Sequence, residues 1–362
     1  EVFFNEEGYK SLNLFISQKN YSNIFIILDT NSNENCLQKF ISLLETEKNI
    51  EIIEIEPGEA EKNINTCVEI WSILTELGAD RKSLVINIGG GVITDIGGFI
   101  ASTFKRGIDF INVPTTLLAM VDASIGGKNG IDLGNLKNQI GVINVPKMVV
   151  IDTDFLSTLP QNEMRSGLAE MLKHGLIFDK NYWNEFKDLN QKDFADFDRL
   201  IHRSVEIKNE IVKQDPTENG IRKALNFGHT LGHAIEKLMD FSLYHGECVA
   251  LGMVTALEIS RKRGNISQKD YDASIELLSK FEFPLSIPAA STESMASTTS
   301  TDCVAFMASG ITIEDVISVS KNDKKMEAGK IKFILLDKIG NAYIDKTVTD
   351  DEMREALKKV IY

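Results

Sequence analysis

At 362 residues, with 43% hydrophobic and 25% charged, the chain has a globular composition and a length that favours two domains over one. A formal net charge of −14 argues against a general binder of nucleic acid or anionic membrane, but leaves room for an anionic small substrate held by a few focused Lys and Arg. Four widely spaced cysteines without a C-x-x-C, and no apolar run near the roughly 18 residues of a membrane span, fit a reduced cytoplasmic protein.

In chain order, the first half alternates short apolar runs with helical spacing. "NIFIILDT" (23–30) reads as a buried strand, and "CLQKFISLLETE" (36–47) as a helix with apolar residues at three and four. "IEIIEIEPGE" (50–59) returns to a strand that Pro57-Gly58 ends, and "NINTCVEIWSILTELG" (63–78) is a helix stopped by Gly78. "SLVINIGGG" (83–91) and "FINVPTT" (110–116) are further strands. This rhythm predicts a mostly parallel sheet covered on both faces.

From about residue 160 the texture turns helical. "QNEMRSGLAEMLKHGLIF" (161–178), "FDRLIHRSVEIKNEIVKQD" (197–215), "HTLGHAIEKLM" (229–239), "GECVALGMVTALEISRKRG" (246–264) and "YDASIELLSKF" (271–281) all carry apolar residues at helical spacing. One strand pair follows, "KIKFILLD" and "GNAYIDK". The expected fold is therefore α/β: a Rossmann-like domain over 1–158, then a mainly helical domain over 159–362. The Ser/Thr-rich stretch 291–301 reads as a mobile surface loop.

Three features invite chemistry. "INIGGGVITDIGG" sets Gly89, Gly90 and Gly91 between a strand and a helix, where backbone N–H groups can approach a phosphate. It departs from G-x-G-x-x-G, because Thr94 stands where glycine is needed, so an ordinary tight turn is the competing reading. Asp29, ending the first clear strand, can accept from a ribose diol or simply cap a turn. The second glycine-rich segment, 121–141, carries Lys128, Lys137 and Asn138, either a cradle for phosphate or carboxylate or a flexible loop.

The third feature is a set of polar clusters on helices. Glu170, Lys173 and His174 share one helical face, as a salt bridge or as part of a site. His229 and His233, four apart, can both face one zinc, and His245 follows; each of the three lies beside a glycine. Spacing alone leaves open which of them holds a metal.

Taken together, "GGGVITDIGGFIASTFKRGIDFINVPTTLLAMVDASIGGKNGID", "LKNQIG", "GLAEMLKHG", "IRKALNFGHTLGHAIE" and "HGECVALGM" resemble the 3-dehydroquinate synthase family of sugar-phosphate cyclases, in the family's order and over about residues 23–340. The resemblance implies a lyase that converts 3-deoxy-D-arabino-heptulosonate 7-phosphate to 3-dehydroquinate and phosphate in the shikimate pathway. The route implied is transient oxidation at NAD, phosphate β-elimination, re-reduction, ring opening and an intramolecular aldol. NAD and a divalent metal, zinc or cobalt, are the implied cofactors, and a homodimer the implied assembly.

By motif match the resemblance assigns Glu170, His229 and His245 to the metal, His233 to proton relay and Glu218 to proton acceptance. Substrate contacts fall on Arg106, Asp122, Lys128, Asn138, Lys173, Lys208, Arg222, Asn226 and Lys324, with Arg106 reaching the neighbouring subunit. Of these, Lys128, Asn138, Lys173, Arg222 and Asn226 also count as catalytic. NAD contacts fall on Asp29, Asn31, Glu59, Lys62, Gly90, Gly91, Asp95, Thr115, Thr116, Asp122, Lys137 and Thr158. Asn129 stands where threonine is commoner in the family, and His174 receives no role.

Overall fold

The structure, a computed structural model, describes residues 1–134, 136–189, 197–240, 242–289, 310–321, 326–327 and 330–362. The stretch 291–301, Cys303 and Lys324 therefore lie outside the described residues. Two compact units emerge: Glu1–Gly167 with Ser204–Asn209, and Leu168–Arg203 with Glu210–Tyr362.

The first unit is built on six parallel strands in the order β1-β8-β5-β4-β2-β3. These are β1 (Val2–Phe4), β2 (Ile24–Asp29), β3 (Ile50–Ile55), β4 (Leu84–Gly89), β5 (Asp109–Pro114) and β8 (Met148–Ile151). The β-branched runs of β2, β4 and β5 are buried nearly throughout, as a sheet covered on both faces requires. Helix α1 (Asn5–Gln18), the short α2 (Thr30–Ser32) and α3 (Gln38–Leu43), α4 (Ile64–Glu76) and α5 (Gly91–Thr103) connect the strands. The helix expected over 36–47 stops at Leu43, with Leu44 extended at φ −85°, ψ 117°.

Phe25, Ile27 and Val85 from the strands meet Cys67, Ile70 and Leu74 of α4 and Ile96, Phe99 and Ile100 of α5 in one core. Each such side chain contributes roughly 1.5–3 kcal/mol of burial. The 121–141 segment holds paired strands: beyond a π turn at Ala119–Ala123, β6 (Lys128–Leu133) pairs antiparallel with β7 (Leu136–Ile143).

The second unit is mainly helical. Helix α6 (Gln161–Ile177) runs across the division at Gly167, followed by α7 (Lys180–Asp188) and α8 (Phe197–Gln214), whose residues 204–209 group with the first unit. Then come α9 (His229–Leu238), α10 (His245–Lys262), α11 (Gln268–Lys280), α12 (Ile313–Lys321) and α13 (Asp350–Leu357). β9 (Met326–Glu327), β10 (Lys330–Lys338) and β11 (Asn341–Thr347) form a small antiparallel sheet. Helix α10 is buried from Gly246 to Ser260, which its apolar, small-residue sequence allows. Among the described residues no helix is long and apolar enough to cross a membrane.

Candidate active site

In the first unit the sheet order has a switch point: from β2 the chain goes outward to β3, then returns to β4 on the other side of β2. Open α/β sheets bind ligands at such points, beyond the carboxyl ends of the strands. Asp29 ends β2 there, and Gly89 ends β4 there, with Gly90 next. Asp29 Oδ1 accepts from Ser32 N at 2.7 Å, so it caps the turn with one oxygen and has a second to offer. Gly90 precedes α5, whose first-turn N–H groups lack intrahelical partners and favour an anion. A Cβ on Gly90 would come 3.1 Å from Thr116 Cγ2, and one on Gly91 3.3 Å from Ala123 Cβ. The turn is thus stripped of side chains where a pyrophosphate would lie. NAD fits these residues.

Thr94 explains the missing fingerprint glycine. Its hydroxyl bonds back to Gly91 O at 3.1 Å, and the side chain is buried. The close approach of helix to strand is made three and four residues later instead. A Cβ on Gly97 would stand 2.0 Å from Asn87 Oδ1, and one on Gly98 2.0 Å from Asn129 Oδ1. Asn129 in turn donates to Gly127 O and Asn144 O, holding the two ends of the hairpin together. Thr115 N bonds Gly89 O at 3.0 Å, and Thr158 Oγ1 bonds Phe155 O, so both threonines stand in ordered backbone.

Lys62 gathers several of the expected residues. The residue is 4% exposed, and its ammonium lies 2.7 Å from both Asp95 Oδ2 and Asn138 Oδ1. Burial pushes the Asp95 carboxyl up, with Lys62 pulling against it. Burial alone would lower Lys62, but Asp95 and Glu59 outweigh it and hold the ammonium above its ordinary range. Glu59 Oε1 also lies 3.7 Å from Lys137. Asn138 sits at φ 52°, a left-handed conformation uncommon outside glycine, pinned by its N–H to Asp132 Oδ1. Lys208 of α8 donates to both the carbonyl and the carboxylate of Asp122. Lys128, Asn31 and Arg106 are exposed, Arg106 at φ 72° just past α5.

In the second unit, α9 and α10 touch backbone to backbone. A Cβ on Gly252 would fall 1.8 Å from Gly228 O, and one on Gly232 2.7 Å from Cys248 O. The glycines flanking His229 and His233 are therefore what let two helices close together. Three imidazoles converge there, with ring centroids 4.9 Å apart for His229–His233, 5.5 Å for His229–His245 and 5.8 Å for His233–His245. Their ring nitrogens can be grouped within 4.8 Å of one another.

Glu170 of α6 faces this cluster. Its Oε2 accepts from Lys173, whereas its fully buried Oε1 has no hydrogen-bond donor. That oxygen lies 3.7 Å from His229 Nε2 and 3.9 Å from His245 Nε2. Ligand atoms around a tetrahedral zinc, each at about 2.0–2.1 Å, stand roughly 3.3 Å apart, so a modest contraction closes the set. His229 Nδ1 lies 3.1 Å from Phe227 O, which holds the proton on Nδ1 and turns the Nε2 lone pair toward Glu170. A buried, donorless carboxylate oxygen between two imidazoles suits a divalent cation. The metal fits here.

A tight loop precedes α9. Asp215 accepts from the backbone N–H of Asn219, Gly220 and Arg222, and Glu218 stands at φ 60°. Glu218 Oε1 takes a hydrogen bond of 2.6 Å from Asn226 Nδ2, joining two of the expected residues. Arg222 is 2% exposed and bonds Pro216 O. Sequence reasoning passed over Asp132, Asp215 and Glu236. Glu236 Oε1 lies 3.5 Å from His245 Nδ1. Its signal was present, three residues beyond His233 and seven beyond His229, on one helical face.

Residues 52–166 match the 3-dehydroquinate synthase N-terminal family, and residues 167–304 match the 3-dehydroquinate synthase C-terminal family. The chain belongs to the 3-dehydroquinate synthase family. Among curated members, the 3-dehydroquinate synthase of Parabacteroides distasonis is 38% identical over 348 residues, 95% of this chain and 92% of the relative. That of Lactococcus lactis is 38% identical over 342 residues, 93% and 90% of the two chains. The fold is shared with a 2-deoxy-scyllo-inosose synthase solved with carbaglucose-6-phosphate, NAD+ and Co2+, at a TM-score of 0.85 and 24% identity over 99% of this chain and 96% of that one. A probable glycerol dehydrogenase from Sinorhizobium meliloti lies further off, at 0.61 and 14%, covering 99% and 95%.

Proposed function

We propose that the chain converts 3-deoxy-D-arabino-heptulosonate 7-phosphate to 3-dehydroquinate and phosphate, with NAD and a divalent metal, zinc or cobalt, as cofactors. The single observation that carries the metal half is the donorless Glu170 Oε1 between His229 Nε2 and His245 Nε2. When bound, the metal supplies Lewis acidity to the substrate hydroxyls and NAD supplies a transient acceptor for hydride.

The remaining roles belong to side chains of this chain. His233 moves the proton of the C5 hydroxyl, and Glu218, positioned by Asn226, accepts one. In the first unit Lys128, Asn138 and Lys208 serve the anionic groups of the substrate, with Asp122 placed by Lys208; in the second, Lys173, Arg222 and Lys324 do. In the first unit Asp29 and Asn31 orient the adenosine ribose; Glu59, Lys62, Asp95, Lys137, Thr115, Thr116 and Thr158 line the rest of the nucleotide. Gly90 and Gly91 give the pyrophosphate backbone N–H groups. The exposed, positive-φ Arg106 serves the site of a second subunit in a homodimer, in the cytoplasm.

The test is phosphate release from the heptulosonate phosphate with NAD and zinc, repeated after chelation. Release that stops on chelation and returns with zinc supports the reading, and activity surviving complete metal removal would sink it. The 340 nm absorbance should stay flat, because NAD is regenerated each turnover; steady NADH accumulation would point to a dehydrogenase instead.

A further inference from the structure

The two proposed ligand histidines are aimed by different devices. His229 is turned by a backbone carbonyl, Phe227 O, two residues before it, and no substitution removes that group. His245 is the first residue of α10, so no preceding helical turn packs against its ring. Its connection to α9 passes through Asp240 at φ 47°. The carboxylate of Glu236, a residue 4% exposed in the last turn of α9, stands 3.5 Å from His245 Nδ1. The ring thus lies between two buried carboxylates, Glu236 on the Nδ1 side and Glu170, 3.9 Å off, on the Nε2 side.

We propose that Glu236 is a positioning residue for the metal site: it accepts the Nδ1–H of His245, fixes the tautomer with Nε2 bare, and orients that nitrogen toward Glu170 Oε1. The proposal rests on reading Glu170, His229 and His245 as the ligands. The physical case is that an imidazole with its proton on Nε2 cannot ligate through that atom. A carboxylate at Nδ1 excludes this tautomer, because two bare acceptors would face each other, and raises the basicity of the ligating nitrogen.

The test uses the full chain, with zinc affinity from competition against a chromogenic chelator and the visible spectrum of the Co2+-loaded protein. The apo-protein melting temperature and NAD affinity serve as controls. Glu236→Ala should weaken zinc by about 10- to 100-fold, the range typical of losing such a partner. It should also shift the Co2+ bands while NAD affinity stays within twofold. Glu236→Gln keeps an acceptor oxygen of the same shape and should recover part of that loss. Zinc affinity and Co2+ bands like those of the wild type in both variants overturn the proposal. Where the alanine variant fails to fold, the glutamine variant decides alone: wild-type affinity with an unchanged spectrum overturns it. A His245→Ala variant that binds zinc as tightly as the wild type overturns the ligand reading itself, and this inference with it.

Discussion

The turn at the head of α5 and the paired helices α9 and α10 both depend on glycine, but to different ends. At α5 the glycines clear side chains away so that the backbone itself can meet a ligand, and Gly97 and Gly98 seat the helix against Asn87 and Asn129. At α9 and α10 they clear side chains away so that two helices touch and imidazoles converge. A backbone site tolerates variation around it, which is why Thr94 can replace a fingerprint glycine. A side-chain site tolerates little, because each atom has one partner and one direction.

The sharpest way to break this contrast is at Gly252. Alanine there would set Cβ 1.8 Å from Gly228 O, a backbone atom that cannot swing aside. The expected cost is ~3 kcal/mol or more, read as a fall of about 10 °C in melting temperature together with lost metal. An unchanged melting temperature would show that the helices can part without consequence.

Within the cluster, His229→Ala should lose both metal and turnover. His233→Ala should keep its metal, measured by elemental analysis, while turnover falls by roughly 10²–10⁴-fold, as for a lost proton-transfer group. Equal metal loss in the two variants would instead make the three histidines the ligand set.

At the backbone site the expected effect is smaller. Thr94→Gly should cost ~0.5–1 kcal/mol of stability by loosening the first turn of α5. It should not tighten NAD more than twofold in a binding titration, since Gly97 and Gly98 already provide the close approach. A large gain in NAD affinity would mean that Thr94 blocks the turn.

The smallest effect lies far from either site. A hydrogen bond from Arg263 holds the Glu352 carboxyl at about 2, below its ordinary 4.5, with burial opposing. A depressed carboxyl stabilises the fold above its unfolded value, and the contribution is lost as pH falls from about 4.5 through 2. With a third of the side chain exposed to solvent, roughly 1 kcal/mol is at stake. Chemical denaturation of wild type and Glu352→Gln between pH 5 and 2 should show a shallower pH slope in the variant, and equal slopes would remove Arg263 as the cause.

Much of this was legible in residue order. Apolar runs such as "FIILD" and "LVINIG" announced parallel strands, and the three- and four-spaced apolar residues of 197–215 and 246–264 announced helices, because one buried face or stripe imposes its own period. The segment 121–141 resisted, since glycines and lysines satisfy a loop as readily as the hairpin that cross-strand pairing produced. The end of the helix expected over 36–47 was also hidden, because an apolar residue such as Leu44 fits an extended bend as well as a turn of helix.

By itself, the sequence determined the alternation of strand and helix, the glycine turn between β4 and α5, and the concentration of imidazole in a short span. Only the tertiary structure decided how those groups face each other. Glu170, some sixty residues before His229, offers it a donorless oxygen, and Glu236 stands at the Nδ1 of His245. Lys62 binds both Asp95, 33 residues further on, and Asn138, 76 residues further on. Such pairings depend on ångström-scale distances set by packing of whole elements, and neither periodicity nor spacing along the chain encodes them.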